Sequence, residues 1–334
     1  MPIREMNESG GLKDPFDRRI DYLRISITDR CNLKCIYCVP DVSAPHPGRA
    51  EMLTTGEIVR FVRIAHERGV SKVRITGGEP LLRPDILELV REIKEIGIKE
   101  LGLTTNGMML GEMAGCLKQA GLDRVNISMD TMDENKYRLM TRGGELGSVW
   151  KGIEEAERVR LTPIKINVVP IRDINDNEAT DFAQLTLERD WHIRFIELMP
   201  VGRSRWSNRA RVKKEELASK ISVALGSLRP HEFRGKGPSR NYRLPGAKGI
   251  IGFISPISEC FCQWCNRLRI TSRGKIRPCL FSGGEIDIMT PMRKGASDEE
   301  LDKLFRNAIA IKPAGHRLEE NDMPVLSSMS AIGG

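Results

Sequence analysis

Cys31, Cys35 and Cys38 stand in the segment Cys31-Asn32-Leu33-Lys34-Cys35-Ile36-Tyr37-Cys38, a C-x3-C-x2-C spacing that follows a β-rich run. Thiolates so placed suit a cubane iron-sulfur cluster, which four cysteines normally complete. Three leave one iron open, and an open coordination position separates a working metal site from a structural one. Zinc is the weaker reading, because zinc modules usually pair two C-x2-C units within about twenty residues. A second group, Cys262, Cys265 and Cys279, reads C-x2-C-x13-C and is again one ligand short of a full set. Cys260 precedes it with only Phe261 between, which is cramped for two ligands of one metal; Cys260 as the fourth ligand of a zinc ribbon is the structural alternative. The N-terminal Met1 to Asn7 has no apolar leader, and for the two tight groups among the eight cysteines a reducing compartment favours metal ligation over disulfides.

Gly77-Gly78-Glu79-Pro80 comes directly after a second β-rich run. Glycines there let the backbone approach a ligand, although such a stretch alone is more often a turn. The cysteine loop and this glycine stretch together resemble the radical S-adenosylmethionine (SAM) superfamily. In those enzymes the methionine moiety of SAM chelates the open iron, and an electron from the cluster cleaves SAM to a 5'-deoxyadenosyl radical. Three further features make the resemblance specific: the C-x2-C-x13-C group, the run Cys265-Asn266-Arg267-Leu268-Arg269 and the terminal Gly333-Gly334. From about Phe16 to Gly334 the chain resembles the GTP 3',8-cyclases of molybdenum cofactor biosynthesis, the MoaA family.

That resemblance implies two 4Fe-4S clusters, on Cys31, Cys35 and Cys38 and on Cys262, Cys265 and Cys279, with SAM on the first and the guanine of GTP on the second. The radical would take the ribose 3' hydrogen, and the 3' carbon would bond to guanine C8 to give 3',8-cyclo-7,8-dihydro-GTP. Matching positions put Tyr37, Gly78, Ser128 and Met199 around SAM, and Thr104 near the base or ribose. Arg24, Lys72, Arg74, Lys165 and Arg194 match the basic set for the triphosphate, joined by Arg267, Leu268 and Arg269. The Gly-Gly end would reach into the barrel mouth. The product would pass to a cyclic pyranopterin monophosphate synthase. The electron donor, a homodimeric state and any side chain acting directly as a catalyst are left open. The nearest rival is a radical SAM enzyme that modifies a peptide or RNA with an auxiliary cluster.

These side chains need a frame. The strand-like runs are Leu23 to Thr28, Lys72 to Thr76, Glu100 to Thr105, Arg124 to Met129, Lys165 to Pro170 and His192 to Met199, with amphipathic helices such as Gly56 to Arg68 and Asp85 to Ile96 between them. Six β-then-α units predict an α/β fold whose parallel sheet winds as an open (βα)6 partial barrel, since a closed eight-unit barrel needs about 250 residues. Residues 16–200 are assigned to it, 1–15 to an N-terminal extension and 201–334 to a C-terminal α+β region carrying the second cluster. In that region 201–211 reads as a loop, Glu215 to Leu225 and Asp298 to Ile309 as helices, and Asn241 to Ser255 as an antiparallel pair. Period-two alternation puts Arg74 on the face of Lys72, and Arg267 on that of Arg269. At the strand ends stand Asp29, Gly78, Thr104, Asn106, Ser128, Asp130, Asn167, Glu197 and Met199, where barrel active sites form.

Composition narrows the class. The chain has 334 residues, is 40% hydrophobic and carries a net charge of +8, an excess that suits an anionic partner. Aromatic residues at 5% are too few for a base-stacking surface, which argues against nucleic acid. No run approaches the roughly 18 apolar residues of a membrane span, so a cytoplasmic protein is expected. Cys116 reads as a small core residue, and His46, His66, His192, His231 and His316 as scattered structural histidines.

Overall fold

A computed structural model describes residues 12–38, 51–199, 206, 208–232, 237–281 and 283–316. Most of the loop expected at 201–211, and Gly333 and Gly334, lie outside these residues. The six expected units are present: β1 (Tyr22–Ser26), α1 (Thr55–Glu67), β2 (Lys72–Thr76), α2 (Ile86–Glu95), β3 (Glu100–Thr105), α3 (Leu110–Gln119), β4 (Arg124–Ser128), α4 (Glu134–Thr141) with α5 (Leu146–Arg158), β5 (Lys165–Val168), α6 (Ala179–Glu188), β6 (His192–Ile196) and α7 (Lys214–Leu225). They are followed by β7 (Arg229–Pro230), β8 (Arg240–Arg243), β9 (Ile250–Ile254), β10 (Arg267–Ile270), β11 (Lys275–Arg277), β12 (Ile286–Asp287), α8 (Met289–Arg293) and α9 (Asp298–Ala310).

All twelve strands join one sheet in the order β12-β11-β10-β1-β2-β3-β4-β5-β6-β9-β8-β7. The barrel is open, as predicted. Its C-terminal region, however, does not stand apart from it: β10 pairs parallel with β1 and β9 pairs parallel with β6, so residues beyond 200 lengthen the sheet at both edges. The expected antiparallel pair is β8 with β9.

Each barrel strand has two unlike faces, as alternating side chains require. Leu23, Ile25, Val73, Ile75, Leu101, Leu103, Val125, Ile127, Ile166, Val168, Ile193 and Phe195 point under the helices and are buried. Burying an aliphatic side chain of this kind contributes about 1.5–3 kcal/mol, so this shared outer layer stabilises the sheet and fixes its register. The alternate positions face inward and are largely polar. Cys116 departs from expectation: α3 turns Leu110, Ala114 and Leu117 inward, which leaves Cys116 exposed. Among the described residues no helix is long and apolar enough to cross a membrane.

Helix α9 brings the end of the chain back to the barrel. Its start is fixed by a capping box between Ser297 and Glu300, which satisfies free N–H groups at the helix end. Its apolar face lies on α1, where the buried rings of Phe305 and Phe61 meet edge to face at 5.6 Å. Replacing Phe305 by Ala should cost about 3–5 kcal/mol by leaving a cavity in this contact. Urea unfolding followed by circular dichroism measures the loss, and a variant as stable as the parent would show that α9 is docked by other contacts.

Candidate active site

The inner faces of the strands and both cysteine groups enclose a cavity of about 380 Å³, within the range of small-ligand sites. Its wall is cationic. Parallel pairing sets Arg269, Arg24, Arg74, Gly102 and Arg124 side by side across five strands. Gly102 leaves room for this row, since a Cβ there would stand 2.9 Å from the guanidinium carbon of Arg74. The Arg74 guanidinium donates through Nε to the Tyr22 hydroxyl at 2.8 Å and through NH1 to the Leu103 carbonyl at 3.3 Å. Lys165, Arg194 and Arg267 complete the wall.

Burial and mutual repulsion show in the titration of these groups. Burial, then the charges of Arg124, Arg194 and Arg74, lower Lys165 to about 6. Burial and Arg74 likewise bring Arg194 down to about 9, and burial and Arg267 bring Arg269 to about 10. Tyr22 goes the other way: burial opposes ionisation, but Arg74, Arg24 and Arg124 outweigh it and hold the phenol at about 7. Glu100 accepts from Arg124 Nε at 2.8 Å and neutralises only part of the field. Thr104 Oγ1 and Arg194 Nε are buried without a hydrogen-bond partner among the described residues, which leaves both able to bond a ligand.

The first cysteine loop is pinned at the strand ends. Lys34 and Ile36 donate backbone N–H bonds to the Thr141 and Met140 carbonyls at 3.0 and 2.9 Å. Gly78 and Glu79 donate to Thr28 and Arg30 at 2.8 Å each. Here glycine is required, because a Cβ on Gly78 would lie 2.2 Å from the Arg30 carbonyl oxygen and one on Gly77 2.4 Å from that of Thr28. Glu79 is fully buried and accepts from Leu81 N, Thr105 Oγ1 and Asn106 N at 3.0, 2.8 and 2.7 Å, while burial raises it to about 7. Tyr37 donates its hydroxyl to Asp130 at 2.6 Å, which leaves the ring for the cavity. Burial, then Asp130, pushes the Cys35 thiol well up, so a thiolate there needs a cation such as iron beside it.

The second group is held by long-range contacts. The buried Arg18 pairs with Asp14 at 2.6 Å and donates to the carbonyls of Cys262, Ala314 and Pro313 at 2.7, 2.9 and 2.6 Å. Lys312, just past α9, donates to the Arg267 and Pro278 carbonyls at 2.8 and 2.6 Å, with its ammonium 3.6 Å from Cys265 Sγ. Burial alone would raise Cys265, but Arg267 and Lys312 outweigh it and lower the thiol to about 7.

Of the sequence-predicted residues, the cavity wall gathers all six cysteines, Tyr37, Gly78, Ser128, Met199, Thr104, Arg24, Arg74, Lys165, Arg194, Arg267 and Arg269. It does not gather Lys72 or Leu268. Lys72 begins β2 opposite Glu100, whose carboxyl it helps to lower. Leu268 falls between Arg267 and Arg269 on β10, so alternation turns it into the core at 0% exposure, and only its backbone remains for a ligand. Asp29 leaves the mouth to accept from Ser272 Oγ. Arg124, Tyr22 and Asn126 line the cavity without having been foreseen. The same period-two rule that connects Lys72 to Arg74 would have found them, two positions from Arg24 or in line with Ser128. For Arg18 and Lys312 the sequence holds no such local signal.

Two family models match: one described as the radical SAM superfamily over residues 25–186, the other as Molybdenum Cofactor Synthesis C over residues 191–318. The chain is 49% identical over 325 residues to the GTP 3',8-cyclase of Moorella thermoacetica, covering 97% of this chain and 100% of that one. To the GTP 3',8-cyclase of Thermodesulfovibrio yellowstonii it is 46% identical over 328 residues, covering 97% and 100%. Among solved structures it resembles Streptococcus suis SuiB bound to S-adenosylmethionine, at a TM-score of 0.59 and 17% identity over 80% of this chain and 63% of that one. It also resembles anSMEcpe with bound AdoMet, at a TM-score of 0.53 and 16% identity over 84% and 79%. At such identities these two structures speak for the fold alone.

Gly78→Ala tests the close approach beneath the first cysteine loop. The methyl group must push back the 28–31 backbone, which should cost roughly 1–3 kcal/mol and shift Cys31. Urea unfolding and an iron assay after anaerobic reconstitution check the variant, and iron equal to the parent's would show that the loop tolerates the methyl group.

Proposed function

The chain belongs to the GTP 3',8-cyclase family of radical SAM enzymes, and from that membership we propose how its cavity converts GTP to 3',8-cyclo-7,8-dihydro-GTP, the first step of molybdenum cofactor biosynthesis. The observation that carries this reading is a buried cationic wall between two sets of three thiols, where a triphosphate can be held with its nucleoside facing the cysteines.

Cys31, Cys35 and Cys38 fit a 4Fe-4S cluster which, when bound with SAM, supplies the electron and the 5'-deoxyadenosyl radical for removal of the ribose 3' hydrogen before bonding to guanine C8. Tyr37, fixed by Asp130, offers a ring of set orientation to SAM, and Gly78, Ser128 and Met199 border the same space. Thr104 carries an unused hydroxyl for the base or ribose. Arg24, Arg74, Arg124, Lys165, Arg194 and Arg269 are placed to meet phosphate oxygens through charge-assisted bonds, the arginines as forks and Lys165 as a compact charge. Cys262, Cys265 and Cys279 fit a second 4Fe-4S cluster, because the three thiols line the same cavity and the cations beside Cys265 favour its thiolate. The terminal glycines assigned to the mouth lie outside the described residues. The reading extends to a cytoplasmic enzyme whose product passes to a cyclic pyranopterin monophosphate synthase.

Two experiments test it. Burial and the neighbouring arginines hold Lys165 at about 6, below the usual lysine value of about 10.4, and a bound triphosphate should raise it again. Between those values the complex therefore holds more protons than the free protein, binding takes up a proton, and affinity falls as pH rises. Calorimetry of GTP binding near pH 8, above the phosphate pKa of about 6, in buffers of different ionisation enthalpy should show this uptake. Lys165→Ala should reduce this uptake to the part that the Tyr22 phenol, itself held at about 7, contributes, and weaken binding about ten- to hundred-fold, the range of a lost charged contact worth about 1.5–3 kcal/mol. Equal affinity and equal uptake would put Lys165 outside the phosphate site. The second experiment is Cys262→Ser, which should lose GTP binding and cyclisation in anaerobic assays while SAM cleavage persists. Cyclisation at the parent rate would show that the second cysteine group does not serve the substrate.

A further inference from the structure

At the second cysteine group, Cys262 meets two ligand atoms that the cyclase reading does not use. The sulfurs of Cys260 and Cys262 and a ring nitrogen of His316 all lie within 4.8 Å of one another. The spacing that looked cramped in sequence is therefore workable. Two sulfurs at about 2.3 Å from a tetrahedral zinc lie about 3.8 Å apart, a difference that rotation of the exposed Cys260 can close. His316 was expected to be structural, but its surroundings prepare it as a ligand. Its Nε2 lies 2.6 Å from the Pro256 carbonyl oxygen, which can only accept, so Nε2 carries the proton and Nδ1 keeps its lone pair. Nδ1 is buried with no hydrogen-bond partner among the described residues.

The support for that ring is itself fixed. Phe281 packs edge-on against His316 at 5.3 Å. Pro256 is held because Ile257 and Ser258 donate their N–H groups to the buried Glu197 at 2.9 and 3.1 Å. A carbonyl that orients an imidazole from behind is the usual outer partner of a metal-bound histidine.

We propose that Cys260, Cys262 and His316 form a mononuclear site for a thiophilic divalent cation, zinc being the ion that two thiolates and one imidazole fit best, with water in the fourth position. Cys262 cannot serve this ion and an iron-sulfur cluster at once. Zinc at this site therefore competes with assembly of the second cluster, and Cys260 is the residue that makes the chain zinc-sensitive. The cation site stands independently of the GTP reading; only its effect on the cluster rests on it.

The test uses the full-length chain stripped of metal under anaerobic, reducing conditions and titrated with cobalt(II), whose thiolate charge-transfer and tetrahedral ligand-field bands report the ligands. One equivalent should bind with sulfur ligation and be displaced by zinc. Cys260→Ser and His316→Ala should each weaken that binding at least ten-fold, while Cys265→Ser and Cys279→Ser leave it unchanged. No tetrahedral cobalt signal, or one that depends on Cys265 and Cys279 but not on Cys260, overturns the site. In a second arm, one equivalent of zinc present during iron-sulfur reconstitution should lower the iron taken up by the parent but not by Cys260→Ser. Equal loss in both would refute the competition, with the cobalt result still judging the site by itself.

Discussion

A barrel interior lined with cations is the constraint on which the rest of this structure depends. Barrel cores of this general kind are normally filled with interlocking aliphatic side chains; here Arg269, Arg24, Arg74 and Arg124 lie in one row across the sheet. Removing such groups from water is costly unless something compensates. The protein compensates in part by depressing Lys165 toward neutrality, by lending Arg74 a phenol and a backbone carbonyl, and by setting Glu100 against Arg124. A bound anion would offset more of that cost. Stability resides in the opposite face of the same strands, where an aliphatic layer under the helices tolerates a strained interior.

The open edges serve the same end. A closed parallel barrel would have no room to admit a second ligand set, whereas the free edges of β1 and β6 accept β10 and β9. Strand β10 carries Arg267 and Arg269 on its inner face and follows directly from Cys265. Pairing with β1 thus delivers the second thiol group and two more cations in one step. Strand β9 leads through Pro256 and the Glu197-held turn to Cys260. The two cysteine groups therefore reach one cavity from opposite ends of the parallel strands, the first just after β1 and the second just before β10 and just after β11.

What the sequence could show was what depends on near neighbours. The C-x3-C-x2-C loop, the Gly77-Gly78 approach and six of the seven cationic strand positions first assigned to GTP from Arg24 to Arg269 were legible, because spacing along one strand or loop decides them. Leu268 was drawn in by its place between two arginines, although alternation sends its side chain the other way. Lys72 shares a face with Arg74 but begins its strand, too far from the cavity wall to line it and close to Glu100. Cys116 was assigned to the core by the habit of its residue type; only the packing of α3 shows which side faces water. His316 and Lys312 were invisible as site residues because their partners lie more than thirty positions away and depend on where α9 docks.

The two thiol groups are consequently held in unequal ways. The first is fixed by backbone hydrogen bonds to the end of α4 and to the loop after β2, parts of the first six β-α units. The second is fixed by Arg18 and Lys312, two buried cations whose partners are backbone carbonyls from three separate segments. Such bonds are worth more than neutral ones, yet each leaves several carbonyls unsatisfied if its single side chain withdraws. Lys312 withdraws whenever the segment after α9 does, Arg18 then loses the Pro313 and Ala314 carbonyls, and the docking of α9 on α1 includes Phe305 against Phe61. Local opening requires only the free energy of the contacts it breaks. Opening at α9 would therefore release the second group while the barrel and the first group stay intact. Binding of a cluster or of substrate across both groups would close that weak point, so occupancy of the second group and docking of the chain end stabilise each other.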